Sequence, residues 1–74
     1  MVKLGEILTL DNNKKFVVAG TTNYENNLYC YVAELDNPDN TKIYLVNNEG
    51  LVQVVDENLT NELENIFANS LDNN

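Results

Sequence analysis

The stretch that decides the fold is Leu28-Tyr29-Cys30-Tyr31-Val32-Ala33-Glu34-Leu35. Successive side chains of a β-strand point to opposite faces, so Leu28, Cys30 and Val32 share one face of the predicted strand. The other face carries two tyrosines, an alanine and a leucine. A strand that is apolar on both faces is typically covered on both sides. The stretch therefore predicts the middle strand of a small sheet.

Four further runs of β-branched and aromatic residues surround this strand. We expect strands near 6–10, 15–21, 28–35, 42–47 and 51–55. Gly20 predicts a bulge or a bend at the end of the second strand. The polar run 22–27 is expected to connect the second strand to the third, and Pro38 and Gly50 mark the later turns. Short connections of this kind favour antiparallel pairing of neighbours.

After Val55 the apolar residues repeat at a helical period. Five of them form one stripe of a helix near 57–71, namely Leu59, Leu63, Ile66, Phe67 and Leu71. Asp56 and Thr60 are both suitable N-cap residues, and the sequence leaves the choice open.

These elements predict a single α+β domain over residues 1–74, a five-stranded antiparallel meander with one C-terminal amphipathic helix packed on it. One helix covers one face of such a sheet, yet the strands are apolar on both faces. Two solutions stay open. Either the sheet curls into a small SH3-like barrel, or its second face meets another subunit.

The composition favours some classes of function and excludes others. The 74 residues carry twelve acidic side chains against four lysines, a formal net charge of −8. Such a field repels nucleic acid and anionic membranes and favours a basic protein partner. The chain has neither His nor Arg and one Cys, so catalytic side chains are scarce. With no apolar leader or membrane-spanning run, we expect a cytoplasmic protein that is not an enzyme.

Three candidate sites fail on their own chemistry. A calcium loop starting at Asp36 would place Pro38 at its third position, where an EF-hand needs a ligand. Cys30 has no basic neighbour in the sequence, so we interpret it as a small buried hydrophobe. The helix carboxylates Glu57, Glu62, Glu64 and Asp72 form a solvated face without a cleft. The sequence therefore predicts no catalytic, metal or cofactor site.

A protein-contact surface remains as the candidate site. Tyr29 and Tyr31 must share a face, and Tyr44 either joins them or lies opposite, depending on register. Tyrosines framed by acidic loops suit recognition of a protein partner. The predicted partner-binding residues are Glu25, Asp36, Asp39, Glu49, Glu62, Glu64, Tyr24 and Tyr44.

Nearly the whole chain also resembles a group of small acidic proteins of low-GC Gram-positive bacteria and their mobile elements, which are domains of unknown function. The resemblance rests on five segments: Lys3-Leu4-Gly5-Glu6-Ile7-Leu8-Thr9-Leu10, Lys15-Phe16-Val17-Val18, Tyr24-x-x-x-Leu28-Tyr29-x-Tyr31, Asp36-Asn37-Pro38 and Val55-Asp56-Glu57. It implies the same meander and helix, and it transfers no activity.

Two hypotheses of function follow. The first is a non-enzymatic protein that binds a basic protein surface, in a specific form an inhibitor encoded by a mobile element whose carboxylates are placed like the phosphates of nucleic acid. The second is a structural module that self-associates into a homodimer through the second face of its sheet.

Overall fold

The computed structural model describes residues 2–10 and 13–72, and of residues 70–72 the backbone alone. The elements in chain order are β1 (Ile7–Leu10), β2 (Lys14–Tyr24), β3 (Asn27–Glu34), β4 (Thr41–Asn47), β5 (Gly50–Gln53) and α1 (Glu57–Asp72). The strands form one antiparallel sheet in the order β1-β2-β3-β4-β5. The predicted fold class, an α+β meander with a C-terminal helix, is confirmed.

The second connection was predicted wrongly. Strand β2 continues through the polar run to Tyr24, which pairs with Asn27. Glu25 and Asn26 alone make the turn, with φ angles of 49° and 69°. Two consecutive residues at positive φ fit the right-handed twist of a hairpin, but a glutamate rarely adopts that conformation. The sequence signal for this turn was therefore weak.

Strand β5 is also shorter than predicted, because it ends at Gln53. Val54 keeps one bond to the sheet, from its amide to the carbonyl of Ile43 at 2.9 Å. Val55 is 81% exposed and belongs to the connection into α1. Strand β3 ends one residue early, at Glu34. The expected turn at Asp11-Asn12 lies outside the described residues.

The bulge predicted at Gly20 is confirmed. Val18 pairs with Val32, whereas Gly20 pairs with Tyr31, so Ala19 is the extra residue of β2. A bulge bends its strand and increases the local twist. It also changes which residues of β2 face outward, so that Gly20 and Tyr24 both lie on the face that α1 covers.

One face of the sheet is buried by curvature alone. Its residues form what we call the inner cluster: Phe16, Val18, Cys30, Val32 and Tyr44, with Val2, Leu8, Leu10, Val46 and Leu51 packed around them. None of the described side chains of the C-terminal helix belongs to this cluster. Of the two solutions left open by the sequence, the sheet adopts the first in part, since it curls into a half-barrel around its own side chains.

Helix α1 covers the other face and creates what we call the outer cluster. It consists of Tyr29, Ile43, Leu63 and Phe67, with Tyr24, Tyr31, Leu45, Val54, Leu59 and Ile66 partly buried around them. The predicted stripe is thereby confirmed as far as Phe67, and the side chain of Leu71 lies outside the described residues. Tyr29 and Tyr31 share this face, and Tyr44 lies on the opposite one.

Asp56 is the N-cap of α1. Its Oδ1 accepts hydrogen bonds from the backbone amides of Asn58 at 2.8 Å and Leu59 at 3.2 Å. Thr60, the rival cap, lies inside the first turn, where its hydroxyl donates to the carbonyl of Asp56. Within the described part of the chain, α1 is too short and too polar to cross a membrane, and no other helix occurs.

Candidate functional site

The groove that we call the acidic groove lies between the β2–β3 turn and the start of α1. Its volume is about 260 Å³, and its lining residues are Tyr24, Glu25, Asn27, Tyr29, Asp56, Asn58, Leu59 and Glu62. The groove exists because the Asp56 cap starts α1 beside the end of the β2–β3 hairpin. Three predicted partner-binding residues meet here: Tyr24, Glu25 and Glu62.

Tyr24 and Glu62 form the central contact of the groove. The Tyr24 hydroxyl donates a hydrogen bond to Oε2 of Glu62 across 38 residues of sequence. This bond, together with desolvation and the negative charges of Glu62 and Glu25, raises the pKa of Tyr24 to about 12. The phenol therefore keeps its proton to a higher pH than an ordinary tyrosine, and its hydrogen bond links the hairpin end to the helix.

The charge of the acidic groove is unbalanced. Glu25 and Glu62 are exposed carboxylates, and no lysine is among the described residues that line the groove. Asp56 adds a third carboxylate, although its Oδ1 is already committed to the helix cap. Negative charge beside the rings of Tyr24 and Tyr29 favours an ammonium or guanidinium group on an aliphatic stem.

The remaining predicted residues lie elsewhere. Asp36 and Asp39 are exposed in the β3–β4 connection, at the opposite end of β3 from the acidic groove. Glu49 is exposed in the β4–β5 turn, and Glu64 lines a shallow groove on α1 beside Tyr31, Phe67 and Ala68. The acidic residues thus form separate surfaces rather than one.

Tyr44 does not belong to an exposed contact surface. It is 5% exposed and lies in the inner cluster, on the face of β4 opposite to Ile43. The register places it there, since Tyr44 pairs with Cys30 and Ile43 pairs with Tyr31. Including Tyr44 among the contact residues was a wrong prediction, because its face depends on a pairing that composition does not reveal.

Sequence reasoning missed a second polar groove. Five asparagines line an opening of about 510 Å³ at the mouth of the half-barrel, with Leu28 and Val46 beneath them: Asn23, Asn26, Asn27, Asn47 and Asn48. The available signal was the pair of doublets Asn26-Asn27 and Asn47-Asn48 in turns at the same end of the meander. Side-chain amides both donate and accept, so this mouth can pair with peptide groups.

The buried polar groups near the other end have structural partners. Glu34 is 7% exposed, accepts a hydrogen bond from Nδ2 of Asn40 at 2.9 Å and lies 4.0 Å from Nζ of Lys14. Asn40 also closes the Asn37–Asn40 turn by donating its backbone amide to the carbonyl of Asn37 at 2.8 Å. These contacts stabilise the β3–β4 connection, so the burial of Glu34 and the position of Asn40 have a structural explanation that needs no ligand.

Cys30 is fully buried in the inner cluster, between Thr21 and Tyr44 of the neighbouring strands, which confirms its interpretation as a small hydrophobe. Burial raises the pKa of its thiol, and a hydrogen bond with the backbone of Tyr44 offsets part of that rise. Among the described residues, no group of three or more cysteine or carboxylate side chains is arranged to hold a metal ion.

No protein-family model, curated protein or solved structure matches this chain. The resemblance to small acidic Gram-positive proteins therefore stays a prediction. The geometry of the acidic groove and the distribution of charge are the features of this molecule that bear on its function.

Proposed function

We propose that this protein is a non-enzymatic, cytoplasmic binding protein that recognises a basic protein partner, and that the acidic groove receives a lysine or arginine side chain of that partner. The observation that carries the proposal is the convergence of Tyr24, Glu25 and Glu62, with Tyr29, on one concave surface whose described lining residues include no lysine.

The distribution of charge over the rest of the molecule supports the same partner chemistry. Ten carboxylates belong to side chains that the structure describes, and nine of them are exposed: Glu6, Glu25, Asp36, Asp39, Glu49, Asp56, Glu57, Glu62 and Glu64. The tenth, Glu34, is buried beside Lys14. A basic partner therefore meets negative potential from most directions. This attraction accelerates association, and salt weakens it by screening the charges.

The groove is better suited to one side chain than to a whole metabolite. Its volume of about 260 Å³ is below the few hundred to a thousand Å³ that small-molecule sites usually offer. A long basic side chain places its methylene groups against the tyrosine rings and its charge between Glu25 and Glu62. In this arrangement the Tyr24–Glu62 hydrogen bond holds one carboxylate in position.

A narrower form of the proposal is an inhibitor encoded by a mobile element that occupies the nucleic-acid site of its target. Exposed carboxylates would then stand where phosphates bind, and the protein itself would contact neither nucleic acid nor a membrane. Self-association has less support, because that hypothesis needed an uncovered second face and the inner cluster is buried within the half-barrel.

The test compares two neutralised pairs of the same size. Glu25→Gln with Glu62→Gln alters the acidic groove, and Asp36→Asn with Asp39→Asn removes the same charge at the opposite end of β3. An oligolysine peptide is titrated into each protein and followed by calorimetry at low and moderate salt. We expect the first pair to weaken binding roughly tenfold and the second by less than about threefold.

Amide shifts in nuclear magnetic resonance spectra supply the location. The peptide should move the signals of Tyr24, Glu25 and Glu62 before any others, and removing the two groove carboxylates should abolish that pattern. Equal losses of affinity in the two pairs would show that only total charge matters and would refute the groove as the site.

A further inference from the structure

The half-barrel has an open side between β1 and the β4–β5 hairpin. Within the described residues the sheet order leaves the outer edges of β1 and β5 without a strand partner. The groove at this side, which we call the seam, has a volume of about 410 Å³. Its lining residues are Val2, Glu6, Leu8, Val46, Asn47, Asn48, Glu49, Gly50 and Leu51.

The floor of the seam is continuous with the hydrophobic core. Val2, Leu8, Val46 and Leu51 line it, and all four pack against the inner cluster while staying partly exposed. An apolar side chain that enters the seam would therefore extend the inner cluster. Burial of such a side chain is the main source of affinity at a site of this kind.

The edge of β1 offers backbone hydrogen bonds beside that floor. The carbonyl of Glu6 accepts from the amide of Val18 at 2.9 Å, so Glu6 faces β2. Antiparallel pairs alternate between bonded and non-bonded positions, which turns the backbone groups of Ile7 and Thr9 away from β2. An outward row of this kind is a template for another strand.

The charge of the seam selects its occupant. Glu6 and Glu49 are exposed at its rim, and none of the described residues that line it is a lysine. A second copy of this chain would bring another net charge of −8 to the same place. A basic strand meets opposite charge instead, and the amides of Asn47 and Asn48 can pair with its peptide groups.

We propose that the seam binds an extended basic segment of a protein partner as a sixth strand, with alternate apolar side chains on the inner cluster and with its cations attracted to Glu6 and Glu49 at the rim. The site is a different surface from the acidic groove and does not depend on it. A partner that engages both surfaces gains avidity from the linkage.

The probe is a peptide that alternates lysine and valine, added to the full-length protein and followed by amide shifts. Its matched control has the same side chains with every second backbone nitrogen methylated, so charge and apolar surface persist while edge hydrogen bonding is lost. We expect shifts at Ile7, Thr9 and Leu51 with the first peptide, and roughly tenfold weaker binding with the second.

Two pairs of variants separate the seam from general electrostatics. Glu6→Gln with Glu49→Gln should weaken the peptide about five- to tenfold, and glutamine keeps the Glu6 oxygen that accepts from the amide of Lys3 at 3.0 Å. The acidic-groove pair Glu25→Gln with Glu62→Gln should leave the shifts at Ile7 and Thr9 unchanged. That result would hold even if the acidic groove proved not to bind lysine.

Three results would overturn the proposal. Equal binding of the methylated peptide would show that no strand is added. Shifts confined to Tyr24, Glu25 and Glu62 would place the peptide in the acidic groove alone. Sedimentation of the pure protein as a dimer, with Ile7 and Thr9 amides protected from exchange, would identify the occupant of the seam as a second copy.

Discussion

The inner and outer clusters lie back to back on the same three central strands, but they are closed by different means. The inner cluster is made by side chains of β1 to β5 together with Val2, through curvature and through the bulge at Ala19. The outer cluster needs α1, which supplies Leu63 and Phe67 as its two buried helix residues. One face is therefore closed by strand pairing and the other by a single helix.

This difference also explains where apolar surface is left over. Ile7, Val17 and Ala33 lie in one cross-strand row on the outer face, and Leu35 follows β3 nearby. Ile7 is 48% exposed and Leu35 46%, because α1 packs over the neighbouring part of the face. Curvature closes the inner face except at the seam, while a single helix of sixteen residues leaves part of the outer face uncovered.

The largest expected effects compare one fully buried residue from each cluster. Phe16→Ala should lower the free energy of unfolding by about 4 kcal/mol and Leu63→Ala by about 3 kcal/mol. The inner cavity should cost more because paired strands cannot close around it without breaking hydrogen bonds, whereas α1 can shift. A domain of this length has roughly 4–11 kcal/mol in total, so either variant removes much of it.

Urea unfolding followed by circular dichroism measures both changes. Val55→Ala is the matched control, because Val55 is 81% exposed and its loss should cost less than about 0.5 kcal/mol. If Leu63→Ala proved as costly as Phe16→Ala or more so, the helix would be held as rigidly as the strands, and the contrast between the clusters would fail.

The next prediction concerns the contact between Gly20 of β2 and Phe67 of α1. A Cβ added at Gly20 would lie 3.0 Å from Cδ1 and 3.3 Å from Cε1 of Phe67. The ring of Phe67 is 3% exposed and its centroid lies 5.3 Å from that of Tyr31, so it has little room to move. Gly20→Ala should therefore destabilise the protein by about 1–2 kcal/mol.

A double-mutant cycle with Phe67→Leu tests this explanation, since the smaller side chain leaves room for the new methyl group. The two changes together should cost about 1 kcal/mol less than the sum of the single changes. Strict additivity would mean that the penalty at Gly20 arises within β2, at the bulge, and not at the contact with the helix.

Much of both clusters could be predicted from the sequence because periodicity encodes them. The nearly continuous apolar run in residues 28–35 indicated a strand covered on both faces, and the spacing from Leu59 to Phe67 indicated the helix. The route by which the inner face is closed was not encoded in this way. Curvature depends on bulges and on long-range strand pairing. A sheet curled into a barrel and a flat sheet with an uncovered second face therefore have the same pattern of apolar residues along each strand.

The candidate site was less predictable for the same reason. Tyr24 and Glu62 are 38 residues apart in sequence, and they meet only because β2 extends to Tyr24 and α1 starts at its Asp56 cap. The turn that brings them together was not predicted, because a glutamate such as Glu25 rarely adopts a positive φ. Tyr44 was misplaced because one step of register decides whether a tyrosine is buried or available to a partner.

A smaller effect is expected at the cap of α1, on which only the outer cluster depends directly. Asp56→Ala removes the acceptor for the amides of Asn58 and Leu59 and should cost about 1 kcal/mol. Thr60→Ala, its control inside the first turn, should cost less than about 0.5 kcal/mol. Thermal melts compare the two variants, and a larger loss at Thr60 would identify it as the effective cap.

The smallest effect should appear in alkaline solution, and it should again be confined to the outer face. Tyr24 has a pKa of about 12 in the folded protein, against about 10 for an unfolded tyrosine. A raised pKa in the folded state stabilises folding fully below pH 10. The contribution is lost as pH rises from about 10 to about 12, because the ionised phenol can no longer donate to the carboxylate of Glu62.

Tyr24→Phe lacks this group, so its stability should fall less steeply over that interval than that of the parent protein. Denaturant titrations at stepped alkaline pH measure the difference, and the difference in tyrosinate absorbance between the two proteins gives the pKa of Tyr24 itself. Glu62→Gln should move that pKa back towards 10, since the hydrogen bond to Glu62 is the largest cause of the rise. Parallel curves for the parent and Tyr24→Phe would show that the link between hairpin and helix does not contribute to folding.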